Sequence, residues 1–528
     1  MAVELGDDEQ QRFVFFNATD LPFDGYTGFE PWLDWRSQSP NLTLTDENGK
    51  SVPAQTTEGE AVRPPQWGPQ LLLRIHWRAR RRLPRRLRDG CNAAARAAWA
   101  SAADQTIRFI HSVPGGNAMA GKLAITDRSN PYFIDSAQRV RDVQAEMQKA
   151  GIDAYLGSRP RTLSWIADAF VPWRSYLLIP AEGMPFLFTF FIDCARISSE
   201  TWLDADHVLG YLGLPGMEPI PNIAKAIKER LGIKRGRVAY EDGISVFTPE
   251  GYLTRYEHAA LQENLPGVDL VDAHEIIDRV SLIKDEGTIN RFRKAGQICD
   301  AGHQAVQDAV TQGGWNTITE TEVGGIAALA MRRAGSVSEW NFAGLNEIAT
   351  GWRTALGACT PPTEKPLAAG EPCMFDLHSM FKLGLGDHSH NYLIAPASKR
   401  QRWHADNFVA LVSHLLASYR AGKTPAGLLV EMQALAAERG CAEFMLPGVE
   451  HGIGLWGDEW KVGAEVKQAV PYWTDSSHGY QANEMVIGAL QYVCPQDEIG
   501  FRYENAIVLR KDGCEVMSKF PLAIEDIE

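Results

Sequence analysis

Phe375 to Tyr392, FDLHSMFKLGLGDHSHNY, holds two aspartates eleven residues apart, Asp376 and Asp387, and three histidines, His378, His388 and His390. A short apolar run leads into Asp376, and Tyr392, Leu393 and Ile394 follow the second cluster. The pattern predicts two strands of a hairpin with carboxylates and imidazoles at their facing ends. Oxygen and nitrogen donors packed this closely can hold a divalent metal. The alternative is a solvated hairpin with incidental charges.

Two further pieces belong with the hairpin. His451 lies in EHGIG, where the glycines leave the imidazole room to approach a ligand, and Asp458, Glu459 and Trp460 follow. Glu504 lies in FRYENAIVL, a strand-like run in which a carboxylate is costly unless it is paired or bound to metal.

At 528 residues the chain exceeds one ordinary domain. Its 45% hydrophobic and 22% charged residues are ordinary globular composition. The net charge of −14 argues against a nucleic-acid binder, because phosphate binding needs a basic surface. The most apolar run, Met184–Ile192, is far shorter than the roughly 20 residues of a membrane-spanning helix. The acidic N-terminus lacks a secretory pattern, and the eight cysteines form no CxxC pairs. A cytoplasmic protein is therefore expected, with neither nucleic acid nor membrane as a partner.

Residues 1–115 contain Pro/Gly/polar stretches and an arginine cluster from Arg78 to Arg88, and are expected to be a poorly ordered extension. From about Ser136, helix and strand patterns alternate. Val140, Val143 and Met147 recur at helical spacing ahead of Gly151, and two β-rich runs flank Ala181-Glu182-Gly183. This predicts an α/β domain over 116–278. A second domain, 279–528, opens with a helix carrying Ile289, Phe292 and Ile298. A capping box at Thr319 and Glu322 follows, then the hairpin, two helices and a strand-rich end.

The order Asp, eleven residues, Asp, then HGIG, then a strand with Glu-Asn resembles the creatinase / aminopeptidase P / methionine aminopeptidase family. RVRDVQAEMQKAGIDAYL and RSYLLIPAEGMP are similar to that family's N-terminal domain. The resemblance implies an α/β creatinase-type N-terminal domain followed by an α+β "pita-bread" catalytic domain. It also implies one or two divalent transition metal ions (Mn, Zn or Fe) held by Asp376, Asp387, His451 and Glu504. In this family one metal is held by both aspartates and the last glutamate, a set that the resemblance implies is intact here. The fifth family ligand, a glutamate, corresponds by count to Leu490, so the second metal site is expected to be degenerate, with His378 or His390 as compensating donors. The loop before Asp376 lacks the family peptidases' histidine.

GWRT and HGIGLWGDEW are similar to the dimethylsulfoniopropionate lyase branch of the family, where an aspartate after the motif histidine acts as base. Asp458 corresponds to it with Gly457 inserted. The expected catalytic residues are thus Asp458, His451 and His378. Trp352, Arg353, Trp456 and Trp460 are expected to bind substrate: the rings as a cage for a cationic group, the guanidinium as a bidentate partner for a carboxylate. Core packing and a structural salt bridge are the respective alternatives. The function expected first is metal-dependent hydrolysis of an amide or other C–N bond in a small molecule or short peptide, by a homodimer. A metal-dependent lyase acting on a small carboxylate, and a non-catalytic binding module, stand beside it.

Overall fold

The computed structural model describes five strands between Ala2 and Trp77, then residues 122–213, 218–242, 251–312, 314–338, 346–356, 360–455 and 479–528. The chain divides into two compact units, Met1–Arg108 and Phe109–Glu528. In the first unit, Ala2–Leu5 pairs with Gln11–Val14, and Phe23–Phe29, Gln70–Trp77 and Ala54–Thr57 form a three-stranded antiparallel sheet. The rest of the expected extension over 1–115 lies outside the described residues.

In the second unit, the six-stranded sheet of the first domain runs Val268–Asp272, Gly236–Tyr240, Ala154–Gly157, Tyr176–Pro180, Phe186–Phe190 and Val208–Tyr211. The Ser136–Ala150 helix covers it, burying Val140, Val143 and Met147. Gly151 ends that helix in the left-handed conformation (φ 65°), which L-residues avoid. The core of this domain is continuous with the second: Met147, Ile166 and Leu177 share one apolar cluster with Phe292, Leu385 and Ile487. Arg291 reinforces the junction, hydrogen-bonding the Tyr132 and Lys382 carbonyls and pairing with Asp168.

The second domain is an eight-stranded, mainly antiparallel sheet whose main path is Glu347–Thr350, Pro372–Phe381, Gly384–Ile394, Ile499–Arg510, Met485–Cys494 and Glu450–Gly452. Helices Glu286–Gln312, Glu320–Ala334, Lys399–Ser418 and Pro425–Glu438 bury apolar residues against its outer face. The Thr319/Glu322 capping box is formed. The hairpin turn is Lys382-Leu383, both at positive φ (48° and 67°), as a two-residue turn between twisted strands requires.

Gly386, beside Asp387 in sequence, lets the Glu286–Gln312 helix approach this hairpin. A Cβ there would lie 2.7 Å from both the Ala295 carbonyl oxygen and Cys299 Sγ. Gly386→Ala is expected to cost about 1–3 kcal/mol of stability in denaturant titration, the usual penalty of overpacking; an unchanged midpoint would refute the close approach.

Candidate metal centre

Strand alternation collects the site on one face of the large sheet, because residues two apart share a face and directly paired residues do too. The register pairs Glu347 with Asp376, Asp376 with Ser389, and His378 with Asp387. On the far side Ile487 pairs with both His451 and Ala506, putting His451 on the same face as Glu504. The two aspartates lie in the middle of long strands rather than at the hairpin's ends.

Six ionisable groups converge there, all buried: Glu347, Asp376, His378, Asp387, His451 and Glu504. Asp387, His451 and Glu504 each offer one ligand atom within 4.8 Å of the others, and so do Glu347, Asp376 and His378. His451 Nε2 lies 3.7 Å from Asp387 Oδ2 and 3.9 Å from Glu504 Oε1. His378 Nε2 lies 3.7 Å from Asp387 Oδ1 and 3.9 Å from Asp376 Oδ2. These separations exceed direct hydrogen bonds and suit donors arranged around a common centre.

Arg502, which sequence reasoning passed over, sits among them. Its guanidinium is 3.0 Å from Asp376 Oδ2 and 3.0 Å from Glu504 Oε1, and it also pairs with Glu347. Asp376 and Glu504, two members of the set expected to hold one metal with Asp387, are thus bridged by an internal cation. Glu347 was equally missed. The signal for Arg502 was its i−2 spacing from Glu504, which puts both charges on one strand face; Glu347, in LNEIAT, carried no comparable signal.

Burial dominates the electrostatics. It pushes the His451 imidazole down to about 4, so the ring is neutral and able to ligate. Burial also opposes ionisation of Asp376, but Arg502 and then His378 outweigh it and hold that carboxyl below its ordinary value. At Glu504 burial outweighs Arg502, and Asp376 and Asp387 add repulsion, so its carboxyl is raised well above the ordinary range. Without a bound cation this shift favours the protonated form of Glu504.

Three expectations are corrected. Leu490 pairs with Tyr503 and packs in the helix-covered core, so it does not face the site. The residues of that strand facing it are Ala489, opposite Glu504, and Gln491, opposite Arg502. The strand therefore lacks a carboxylate on the site face, but Leu490→Glu would bury a charge in apolar surroundings. That variant is expected to lose several kcal/mol in chemical denaturation without gaining metal, and a rise in metal content would contradict the register.

His390 cannot compensate. It points to the opposite face with His388, where both pack with His303 and Phe520. Arg353 is a buried strut: its Nη1 pairs with Glu320, and its Nη2 donates to the Pro361 carbonyl at 2.7 Å. Glu320 also accepts from Thr350 and Thr363, so this ion pair shapes the loop around Gly351–Leu356. On that loop Trp352 is 51% exposed. Asp458, Trp456 and Trp460 lie outside the described residues.

Comparison with known proteins bears on the family and the fold. Residues 290–511 match the profile of Metallopeptidase family M24, and residues 139–283 match the Creatinase/Prolidase N-terminal domain. An ectoine hydrolase from Halomonas elongata is 25% identical over 185 residues, covering 34% of this chain and 45% of that protein. An Xaa-Pro dipeptidase from Lactobacillus delbrueckii subsp. lactis is 23% identical over 320 residues, covering 59% of this chain and 81% of that protein. Among solved structures, an Xaa-Pro dipeptidase from Bacillus anthracis superposes with a TM-score of 0.61 at 20% identity, covering 74% of this chain and all of its own. An X-Pro aminopeptidase from Thermotoga maritima gives a TM-score of 0.60 at 18% identity, covering 74% of this chain and 99% of its own. The two matched domains occur in the family's order, over a sheet that carries Asp376, Asp387, His451 and Glu504 on one face, and the chain belongs to the creatinase/aminopeptidase P family.

Proposed function

We propose that this protein is a metal-dependent hydrolase of an amide or other C–N bond in a short peptide or small molecule. The observation that carries this reading is the buried convergence of Asp387, His451 and Glu504 in the family's chain order. Two carboxylates and one imidazole suit a divalent Mn, Zn or Fe ion. When bound, such an ion polarises a carbonyl and activates water.

The chain's own groups do the rest. His451, held neutral, presents a nitrogen lone pair. Arg502 fixes the Asp376 and Glu504 carboxylates through two separate guanidinium nitrogens. Glu504 must release its proton before it can ligate, so binding of the ion is coupled to proton release. With Ala489 and Gln491 on the site face in place of a carboxylate, the family's second metal position is degenerate in this chain. Substrate recognition by Trp352, Trp456 and Trp460 belongs to the same reading, as does a homodimer, whereas a basic role for Asp458 belongs to the lyase alternative. Among the described residues no helix is long and apolar enough to cross a membrane.

The names of the relatives supply the first substrates to try: Xaa-Pro dipeptides and ectoine, whose hydrolysis the matched proteins' names denote. The experiment is a screen of these compounds with Mn-loaded protein in ¹⁸O-labelled water. Product carrying the label supports hydrolysis. Turnover of a small carboxylate without label would instead establish the lyase alternative. No turnover by a metal-replete protein would favour a binding module.

A further inference from the structure

We propose that Glu347, Asp376 and His378 form a second divalent-cation site beside Asp387, His451 and Glu504. The inference rests on the metal-dependent reading above. Glu347 and His378 lie outside the family pattern that identified the other ligands.

The antiparallel register sets Glu347 directly opposite Asp376, and His378 follows Asp376 by two residues on the same face. One ligand atom from each lies within 4.8 Å of the other two, and all three side chains are buried. This triad shares no member with Asp387, His451 and Glu504, so the two sets do not compete for donors. They adjoin through His378, whose Nε2 is 3.7 Å from Asp387 Oδ1.

Charge supports the same conclusion. Four carboxylates, Glu347, Asp376, Asp387 and Glu504, are buried here, and Arg502 pairs with three of them, Glu347, Asp376 and Glu504. Buried carboxylates are costly unless cations compensate them. Arg502 pairs with Glu347 and Asp376. The nearby guanidinium repels a cation, so this site binds more weakly than the first. An imidazole with two carboxylates selects Mn, Fe or Zn over Mg or Ca.

The test uses the full chain and Mn²⁺ alone, followed by calorimetric titration, elemental analysis and electron paramagnetic resonance. The parent is expected to bind two equivalents, one tight and one weaker, with spectra of a coupled manganese pair. His378→Asn and Glu347→Gln should each bind one equivalent, keep the tight step and lose the coupling. Asp387→Asn should lose the tight step. If Glu347→Gln does not fold, His378→Asn decides. Two equivalents retained in His378→Asn would overturn the inference. So would one equivalent in the parent that His378→Asn does not change, and that result would leave the hydrolase reading standing. No manganese bound by the parent would overturn both.

Discussion

Asp387→Ala is expected to strip the protein of its tightly bound metal and to lower kcat/KM by about a thousandfold, a loss of about 4 kcal/mol in transition-state stabilisation. Asp387 stands between the two imidazoles, with one oxygen 3.7 Å from His451 Nε2 and the other 3.7 Å from His378 Nε2. Metal-free stability should behave differently. The variant removes one negative charge from a cluster that carries an excess of them, so its unfolding midpoint without metal should equal or exceed the parent's. Catalysis and apo stability thus move in opposite directions, which a merely structural aspartate would not produce. Elemental analysis beside a metal-free denaturation curve checks this, and full metal content in the variant would refute the ligand assignment.

The second large effect is expected at Arg502. Arg502→Met should cost about 3–5 kcal/mol in the metal-free protein, because it leaves Glu347, Asp376 and Glu504 buried without their shared cation. Arg502→Lys keeps the charge but not the planar fork, and should recover only part of the loss. Saturating Mn²⁺ should narrow the gap between Arg502→Met and the parent, since the ion binds the folded state and supplies the missing positive charge. Denaturant titrations with and without Mn²⁺ measure both quantities. A metal-free Arg502→Met as stable as the parent would mean that the cluster is held by protons rather than by the guanidinium.

Much of this architecture was legible from local patterns. The helix at Ser136–Ala150 announced itself by apolar spacing and a terminating glycine, and the Glu320–Ala334 helix by its capping box. Asp376 and Asp387 stood out as carboxylates eleven residues apart among histidines, His451 by the glycines that flank it, and Glu504 because a carboxylate in an apolar strand is expensive without a partner. The hairpin turn was not legible. Lys382-Leu383 has no glycine or asparagine, and each residue accepts a left-handed conformation that costs roughly 1–2 kcal/mol. Tertiary contact supports it instead: Arg291, already bound to Asp168, donates to the Lys382 carbonyl at 2.9 Å.

Counting along the chain put Leu490 in the position of the missing glutamate, but the facing of a strand has period two and an error of one residue reverses it. Only the pairing with Ile499–Arg510 reveals that Ala489 and Gln491 look into the site while Leu490 looks away. The same logic separates His378 from His388 and His390, three imidazoles that a sequence treats as one cluster and a sheet divides between its faces.

The sequence by itself determined the domain order, the family and four of the residues proposed to hold metal, because periodicity, capping and chain order are local or linear properties. Tertiary structure alone decided which charges meet. It brought Glu347 to Asp376 and Arg502 among three carboxylates across strands far apart in the chain, and it turned Arg353 toward Glu320. The physical reason is that buried charges are satisfied by whichever partners the sheet register delivers, and register is a property of paired strands that no single strand encodes.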